Sequence, residues 1–136
     1  MIAGRAFFQH NGTALLRPLS GAEALRIDAG RLMPMPDDLL LARSTGAASC
    51  AIESVCARGR RTLAAFVRIE RDRKSRRGGS MERVRATAVP CDPRIPYAIV
   101  LGGALSFVRN NEIALIEIDA YPQNNRPIEG HAERCV

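Results

Sequence analysis

The chain has 136 residues, a hydrophobic fraction of 46% and no tryptophan, which allows one ordinary domain or two small ones with an aliphatic core. Its formal net charge of +6 points to polyanionic partners: RNA, DNA or an anionic membrane surface. The absence of a signal-peptide pattern and of a run of about 18 apolar residues excludes a membrane-spanning helix, and we expect a cytoplasmic protein with free thiols.

In the first half of the chain, short apolar runs separated by turn signals predict β-strands. His10-Asn11-Gly12 between two such runs is a strong hairpin signal. Two prolines predict a loop over Arg31–Asp38, in which Asp37 and Asp38 are expected to be solvated. The five predicted strands are Ile2–Gln9, Thr13–Leu19, Ala24–Ile27, Leu39–Arg43 and Ser49–Ala57.

In the second half, apolar and polar residues alternate more clearly. The segment Arg71–Ser80 is polar and glycine-rich, and it is predicted to be a long charged hairpin loop rather than a strand. Gly102-Gly103 is predicted to interrupt a strand. The five predicted strands are Leu63–Glu70, Glu82–Val89, Tyr97–Leu101, Glu112–Tyr121 and Ile128–Val136.

Two successive sets of five strands predict an all-β protein with two tandem five-stranded barrels. Five antiparallel strands closed into a barrel are typical of the OB-fold. The predicted domains are residues 1–60 for the first barrel and residues 61–136 for the second.

The second half resembles the second cold-shock domain of the ribonuclease R / ribonuclease II family. Val89–Pro96 matches that family's V-P-x-D-x-R-I-P stretch, and the strands Ala98–Val100 and Glu112–Pro122 follow in the same order. Pro127–Val136, with Glu129-Gly130, matches its later P-x-G strand. In the first half, the cold-shock matches are Gly4–Phe7, the Asn11-Gly12 hairpin and Ala51–Val55.

This resemblance implies tandem cold-shock barrels that capture single-stranded RNA for a 3'-5' exoribonuclease. The sequence departs from the family in two ways. The strands Thr13–Pro18 and Arg83–Val89 lack the aromatics of the family's G-F-G-F motif, each worth about 1–3 kcal/mol per stacked base. The family's catalytic domain, with its Asp cluster for Mg²⁺, would follow Val136. We therefore expect an N-terminal fragment or a stand-alone relative, with a catalytic ribonuclease domain as partner in cis or in trans.

The basic charge is concentrated in residues 58–85, which hold eleven basic and three acidic residues and leave a net charge of −2 elsewhere. All the cations except Lys74 are arginines, whose planar guanidinium binds phosphate in a bidentate manner; a coding bias towards arginine is the alternative. The hairpin loop is predicted to bind RNA through Arg73, Lys74, Arg76 and Arg77. The adjoining outer face is predicted to contribute Phe66, Arg68, Arg83 and Arg85.

Each of these candidates has a simpler interpretation. The basic loop could be solvated only, and Phe66 could pack against the neighbouring barrel instead of stacking on a base. In the first barrel, Arg5, Phe7 and Arg17 could share an RNA-binding outer face or be ordinary surface residues. The scattered cysteines lack the close pairs typical of structural zinc, so no metal, cofactor or catalytic residue is predicted.

The leading functional hypothesis is therefore salt-sensitive binding of single-stranded RNA, without a membrane partner. The alternative is a non-enzymatic adaptor that docks on protein or on a ribonucleoprotein, which the missing strand aromatics favour. An independent small enzyme is the third possibility, and no group of residues supports it.

Overall fold

The computed structural model describes residues 1–76, 79–123 and 126–136, without the side chains of 72–76 and 79–83. In this part of the chain, ten β-strands form two closed five-stranded barrels. No helix among these residues is long and apolar enough to cross a membrane. The predicted all-β fold class is confirmed.

The first barrel contains β1 (Ile2–Phe8), β2 (Ala14–Pro18), β3 (Leu25–Ile27), β4 (Leu39–Gly46) and β5 (Ser49–Ala57). The strands are ordered β1-β2-β3-β5-β4 around the barrel, and β3 pairs with β5 in parallel. Alternate side chains point inwards because successive residues of a strand face opposite sides. The buried core of this barrel is small: Ala6, Leu16, Leu40, Ala42 and Cys50.

The second barrel contains β6 (Thr62–Arg76), β7 (Gly79–Pro90), β8 (Ile99–Gly102), β9 (Ile113–Ala120) and β10 (Ile128–Cys135). Its order, β10-β8-β7-β6-β9, repeats that of the first barrel, with β8 and β10 as the parallel pair. Both barrels are therefore five-stranded OB-folds. The larger aliphatic core of the second barrel includes Leu63, Val67, Ile99, Ile116 and Ile128.

The predicted loop over Arg71–Ser80 is wrong, because β6 and β7 pair continuously as far as Arg76 opposite Gly79. The two strands thus form a ribbon that extends beyond the barrel. Beyond Phe66, β6 pairs with β7 alone, since its pairing with β9 ends at Phe66 opposite Ile113. Strand pairing satisfies backbone groups whatever the side chains are, so polar composition is a poor guide to where a strand ends.

The loop between β3 and β4 of the first barrel packs against the second barrel, and Asp38 in this loop is fully buried. Its Oδ2 accepts hydrogen bonds from the Met35 amide and from Arg58 Nη1, both at 2.8 Å, and its Oδ1 accepts one from the Gly59 amide at 2.9 Å. The prediction that Asp38 is solvated is therefore wrong, whereas its neighbour Asp37 is exposed. The local sequence around Asp38 does not indicate that its partner is Arg58, which lies 20 residues later in the chain.

Met35 carries the same loop into the second barrel, where it is fully buried in the hydrophobic core. Beside it, Tyr97 donates a hydrogen bond from its hydroxyl to the Pro34 carbonyl at 2.8 Å, and its ring meets Phe8 edge-on with centroids 6.1 Å apart. The centroid of the Tyr121 ring lies 4.3 Å from Cζ of Arg58, whose guanidinium pairs with Asp38. We refer to this region as the barrel junction: Pro34, Met35, Asp38, Arg58, Tyr97 and Tyr121.

Asp92, in the turn after β7, holds a second group of charges near the junction. Its carboxylate accepts hydrogen bonds from the Arg94 amide, Nε and Nη2, each at 3.0 Å, and lies 3.5 Å from Arg60 Nη1. The hydrogen bonds from the Arg94 side chain are the main reason that the pKa of Asp92 lies below its ordinary value. The carboxylate therefore stabilises the folded chain in its ionised form.

This arrangement predicts a pH-dependent effect of Asp92→Asn. The pKa of Asp92 is lower in the folded chain than in the unfolded chain, so its carboxylate stabilises the fold fully at pH values above the unfolded-state pKa of about 3.9. This stabilisation is lost as the pH falls through the folded-state pKa. Urea unfolding at several pH values should show the variant less stable by about 1 kcal/mol at neutral pH, with the difference shrinking below about pH 4. A difference that stays constant down to acidic pH would contradict the assignment.

Candidate nucleic-acid interface

The outer surface of β6, β7 and β8 combines apolar and basic side chains. Phe66 lies opposite Val89, and Thr87 lies opposite both Arg68 and Val100. Directly opposed residues on neighbouring strands share a face of the sheet. The exposed fractions are 39% for Phe66, 58% for Val89 and 43% for Val100, which are high for large apolar side chains. We refer to this surface as the β6–β8 face: Phe66, Arg68, Arg85, Thr87, Val89 and Val100.

Two arginines give this face its positive charge. Arg68 and Arg85 are both exposed, and neither forms an ion pair with a carboxylate among the described side chains. Glu70 lies opposite Arg85 in the strand register but forms no ion pair with it. Their guanidinium donors are therefore available to a ligand, and a phosphate fits the planar fork of such a group. The structure brings these two predicted site residues onto one surface with Phe66.

Four of the five remaining predicted cations of the second barrel lie on the strands of the ribbon. Arg73, Lys74 and Arg76 lie on β6 and Arg83 lies on β7, as extensions of the strands that carry Arg68 and Arg85, but their side chains are outside the description. Arg77 lies outside the described residues altogether. Their contribution to binding stays a prediction, now for a paired ribbon instead of a loop.

Phe66 occupies a different strand from the aromatics of a G-F-G-F motif. It lies on β6, with Val89 opposite on β7 and Ile113 opposite on β9. The aromatic contact between the barrels is made instead by Phe8 with Tyr97. One face of the Phe66 side chain is thus partly open to solvent and bordered by exposed aliphatic groups, as a stacking platform requires.

In the first barrel, the structure places Arg5, Phe7 and Arg17 together on the outer surface of β1 and β2. Arg5 is opposite Arg17, and Arg17 Cζ lies 4.6 Å from the centroid of the Phe7 ring. Arg5 Nη1 donates a hydrogen bond to the Asp37 carbonyl at 3.1 Å. These residues line a depression of about 280 Å³, to which Leu19 also contributes.

Two solved structures of Mycoplasma genitalium RNase R match this architecture over 98% of the chain, each with a TM-score of 0.72. The barrels have an RNase R-like OB fold. One of the two structures is a complex with ribose-methylated single-stranded RNA, and the other is the apo form. The sequence identity is 13%, and the chain spans 21% of the length of that protein, so the likeness is one of fold. No family model and no curated protein matches the sequence.

Several residues on or beside the β6–β8 face were not anticipated as site residues. Val89 and Val100 continue the β6–β8 face, and Ile113 on β9 borders it with an exposed fraction of 42%. The alternation of Glu112–Tyr121 already assigns Ile113 to the outer side. An apolar residue on an outer face is a usable signal, but strand pairing is needed to show which of these residues are neighbours.

The cysteine and histidine residues form other contacts. His131 Nδ1 lies 2.8 Å from Asp119 Oδ2, a hydrogen bond that raises the pKa of the imidazole, and the Cys135 thiol donates to the Phe107 carbonyl at 3.2 Å. Cys50 is buried, and desolvation raises the pKa of its thiol. Among the described residues, no group of three or more His, Cys, Asp or Glu side chains has a geometry suited to a metal ion.

Proposed function

We propose that the chain binds single-stranded RNA through the β6–β8 face and the adjoining ribbon, as the RNA-binding region of a ribonuclease R-type 3'-5' exoribonuclease. In this role it holds RNA for a catalytic ribonuclease domain, in cis or in trans, in the cytoplasm. The observation that carries the proposal is the pair of exposed arginines, Arg68 and Arg85, that have no ion-pair partner among the described side chains. They share a face with Phe66 on the surface that OB-folds use for their ligands.

The composition of the face indicates how RNA would be recognised. Arg68 and Arg85 suit phosphate groups, whereas Phe66 with Val89 suits the flat surface of a base. With a single aromatic residue on the face, most of the affinity comes from the phosphates. Phosphate contacts carry no sequence information, so binding is expected to be salt-sensitive and nearly indifferent to sequence.

The proposal is tested with an oligouridine of about 20 nucleotides and the full chain, over a series of salt concentrations. In Arg68→Gln/Arg85→Gln, affinity at about 0.1 M salt should fall at least tenfold, and the slope of log affinity against log salt should become shallower by about 1.4. Phe66→Ala should also weaken binding about tenfold but leave the slope unchanged, because it removes a stacking contact and no charge.

Arg134→Gln is the matched control, since Arg134 is exposed on β10, which is separated from β6 and β7 by one strand on either side of the barrel. It should change affinity and slope much less than Arg68→Gln or Arg85→Gln alone does, since each of these also removes one charge. Neutralising Arg73, Lys74, Arg76 and Arg77 together tests the ribbon in the same assay and should cause a large loss. Absence of RNA binding by the wild-type chain at about 0.05 M salt, or binding without salt dependence, would contradict the proposal.

The alternative to RNA binding is docking on a protein, which an exposed apolar row on the second barrel favours. Phe66, Val89 and Ile113 form an exposed apolar row across three strands, which could contact an apolar partner as well as a base. A protein-docking role predicts that neutralising the arginines has little effect on partner binding and that RNA does not compete. The basic residues Arg68 and Arg85, which lie on the same face beside the row, favour RNA.

A further inference from the structure

We infer that the first barrel holds a phosphate group of the bound polynucleotide between Arg5 and Arg17, and that Phe7 positions Arg17 for this contact. This inference rests on the proposed RNA-binding function and extends it to a second site. The three residues lie on neighbouring positions of β1 and β2, in the depression that Leu19 borders.

The first argument is the unbalanced charge of this pair. Arg5 lies directly opposite Arg17, and like charges in opposed positions of an antiparallel pair destabilise the sheet. Neither guanidinium forms an ion pair with a carboxylate in the described part of the chain. The two other arginines on strands of this barrel do have acidic partners: Arg26 lies 3.5 Å from Asp28, and Arg43 lies 2.6 Å from Glu53. The Arg5–Arg17 pair lacks the anion that its counterparts have.

The second argument is that both guanidinium groups are held in place without being neutralised. Arg5 donates to the Asp37 carbonyl, a neutral acceptor that uses one of its five donors. Arg17 lies over the Phe7 ring at 4.6 Å, a cation–π contact that leaves its in-plane N–H groups free. Ordering of long arginine side chains before binding reduces the entropy lost when a ligand arrives.

The geometry also assigns the role of Phe7. Because the Arg17 guanidinium covers one side of the ring and the residue is half-buried, Phe7 does not offer a fully open platform to a base. It is a positioning residue for Arg17. The first barrel therefore contributes charge contacts and no aromatic stacking through these residues, in contrast to Phe66 of the second barrel.

The experiment measures binding of the same oligouridine to the full chain over a series of salt concentrations. Arg5→Gln/Arg17→Gln should weaken binding about tenfold and make the salt slope shallower by about 1.4, as expected for two lost phosphate contacts to a single strand. The control Arg26→Gln/Arg43→Gln removes the same charge from the same barrel, but from arginines that already have carboxylate partners, and it should change the slope much less.

The positioning role is tested by a double-mutant cycle. Phe7→Leu should reproduce the effect of Arg17→Gln, and the two changes together should have no larger effect than either alone, because both remove the same contact. Phe7→Tyr keeps the ring and should restore affinity. Additive losses for Phe7→Leu and Arg17→Gln in folded proteins would overturn this part of the inference.

Titration of the arginine Nε–Hε resonances with inorganic phosphate distinguishes a polynucleotide site from a site for free phosphate. Saturation by oligouridine at much lower concentrations than by inorganic phosphate supports the inference, and equal or tighter binding of inorganic phosphate overturns it. Unchanged RNA binding by Arg5→Gln/Arg17→Gln, with a loss for Arg68→Gln/Arg85→Gln, also overturns it while the proposed function stands. Failure of the wild-type chain to bind RNA at all rejects the proposed function itself.

Discussion

Asp38→Ala is expected to lower the free energy of unfolding by about 3 kcal/mol, because it leaves Arg58 partly buried without its counter-ion. The substitution also removes the acceptor for two backbone amides, those of Met35 and Gly59. Each buried donor left without a partner costs about 1–3 kcal/mol. Urea unfolding at neutral pH measures the loss, with the two tyrosines as fluorescent probes, since Tyr97 and Tyr121 both lie at the barrel junction.

Asp37→Asn is the control for this experiment. Asp37 is exposed and lies 3.8 Å from Arg60, so its ion pair contributes about 1 kcal/mol or less. Asparagine is chosen because the residue has a φ of 69°, a conformation that asparagine tolerates better than alanine does. If Asp38→Ala prevents folding, Asp38→Asn supplies the measurement, with the same direction of effect. A loss below about 1 kcal/mol for both Asp38 variants would show that the carboxylate does not stabilise the junction.

Met35→Ala is expected to destabilise the chain by about 2–5 kcal/mol, the range for truncation of a buried methionine. The residue comes from the first barrel, yet it is fully buried in the core of the second, where Leu63, Ile99 and Ile128 are also buried. In Met35→Ala, hydrogen exchange should therefore show lower protection of the backbone amides of β8 and β10 than in the wild-type chain. Both strands are far from residue 35 in the sequence.

Met33→Ala is the matched control, since Met33 lies in the same loop but is only partly buried. It should lower the free energy of unfolding by less than half as much as Met35→Ala does. Loss of protection confined to the first barrel in Met35→Ala would contradict the packing described here. A loss in both barrels would show that they unfold as one cooperative unit.

The strands were predictable because their apolar residues alternate, and alternation reflects burial on one side of a sheet. Glu112–Tyr121 illustrates this, since Ala114 and Ile116 are buried as its pattern predicts. The ribbon was not predicted because beyond Phe66 β6 pairs with β7 alone, and a two-stranded ribbon has no closed barrel to impose an alternating pattern. The division into domains at residues 60 and 61 stays a proposal, although the strands of the two barrels fall on either side of it.

The barrel junction could not be predicted because its contacts join residues that are far apart in sequence. The bond from Tyr97 to Pro34 spans 63 residues, and no local pattern marks either partner. The candidate interface was predicted in part. Arg68, Arg85 and Phe66 follow from strand alternation, whereas Val100 joins them only through the pairing of β7 with β8.

Burial of Met35 in the second barrel also sets the order in which the newly made chain can complete its folding. Synthesis proceeds from the N-terminus, so all strands of the first barrel emerge before the surfaces that cover Met35 exist. The core in which Met35 is buried includes Ile128 and Ala132 of β10, the last strand of the second barrel. The loop before β4 therefore stays without its complete cover until β10 has been synthesised. The first barrel is thus synthesised before the second, but its β3–β4 loop reaches its final packing only after the second barrel is complete.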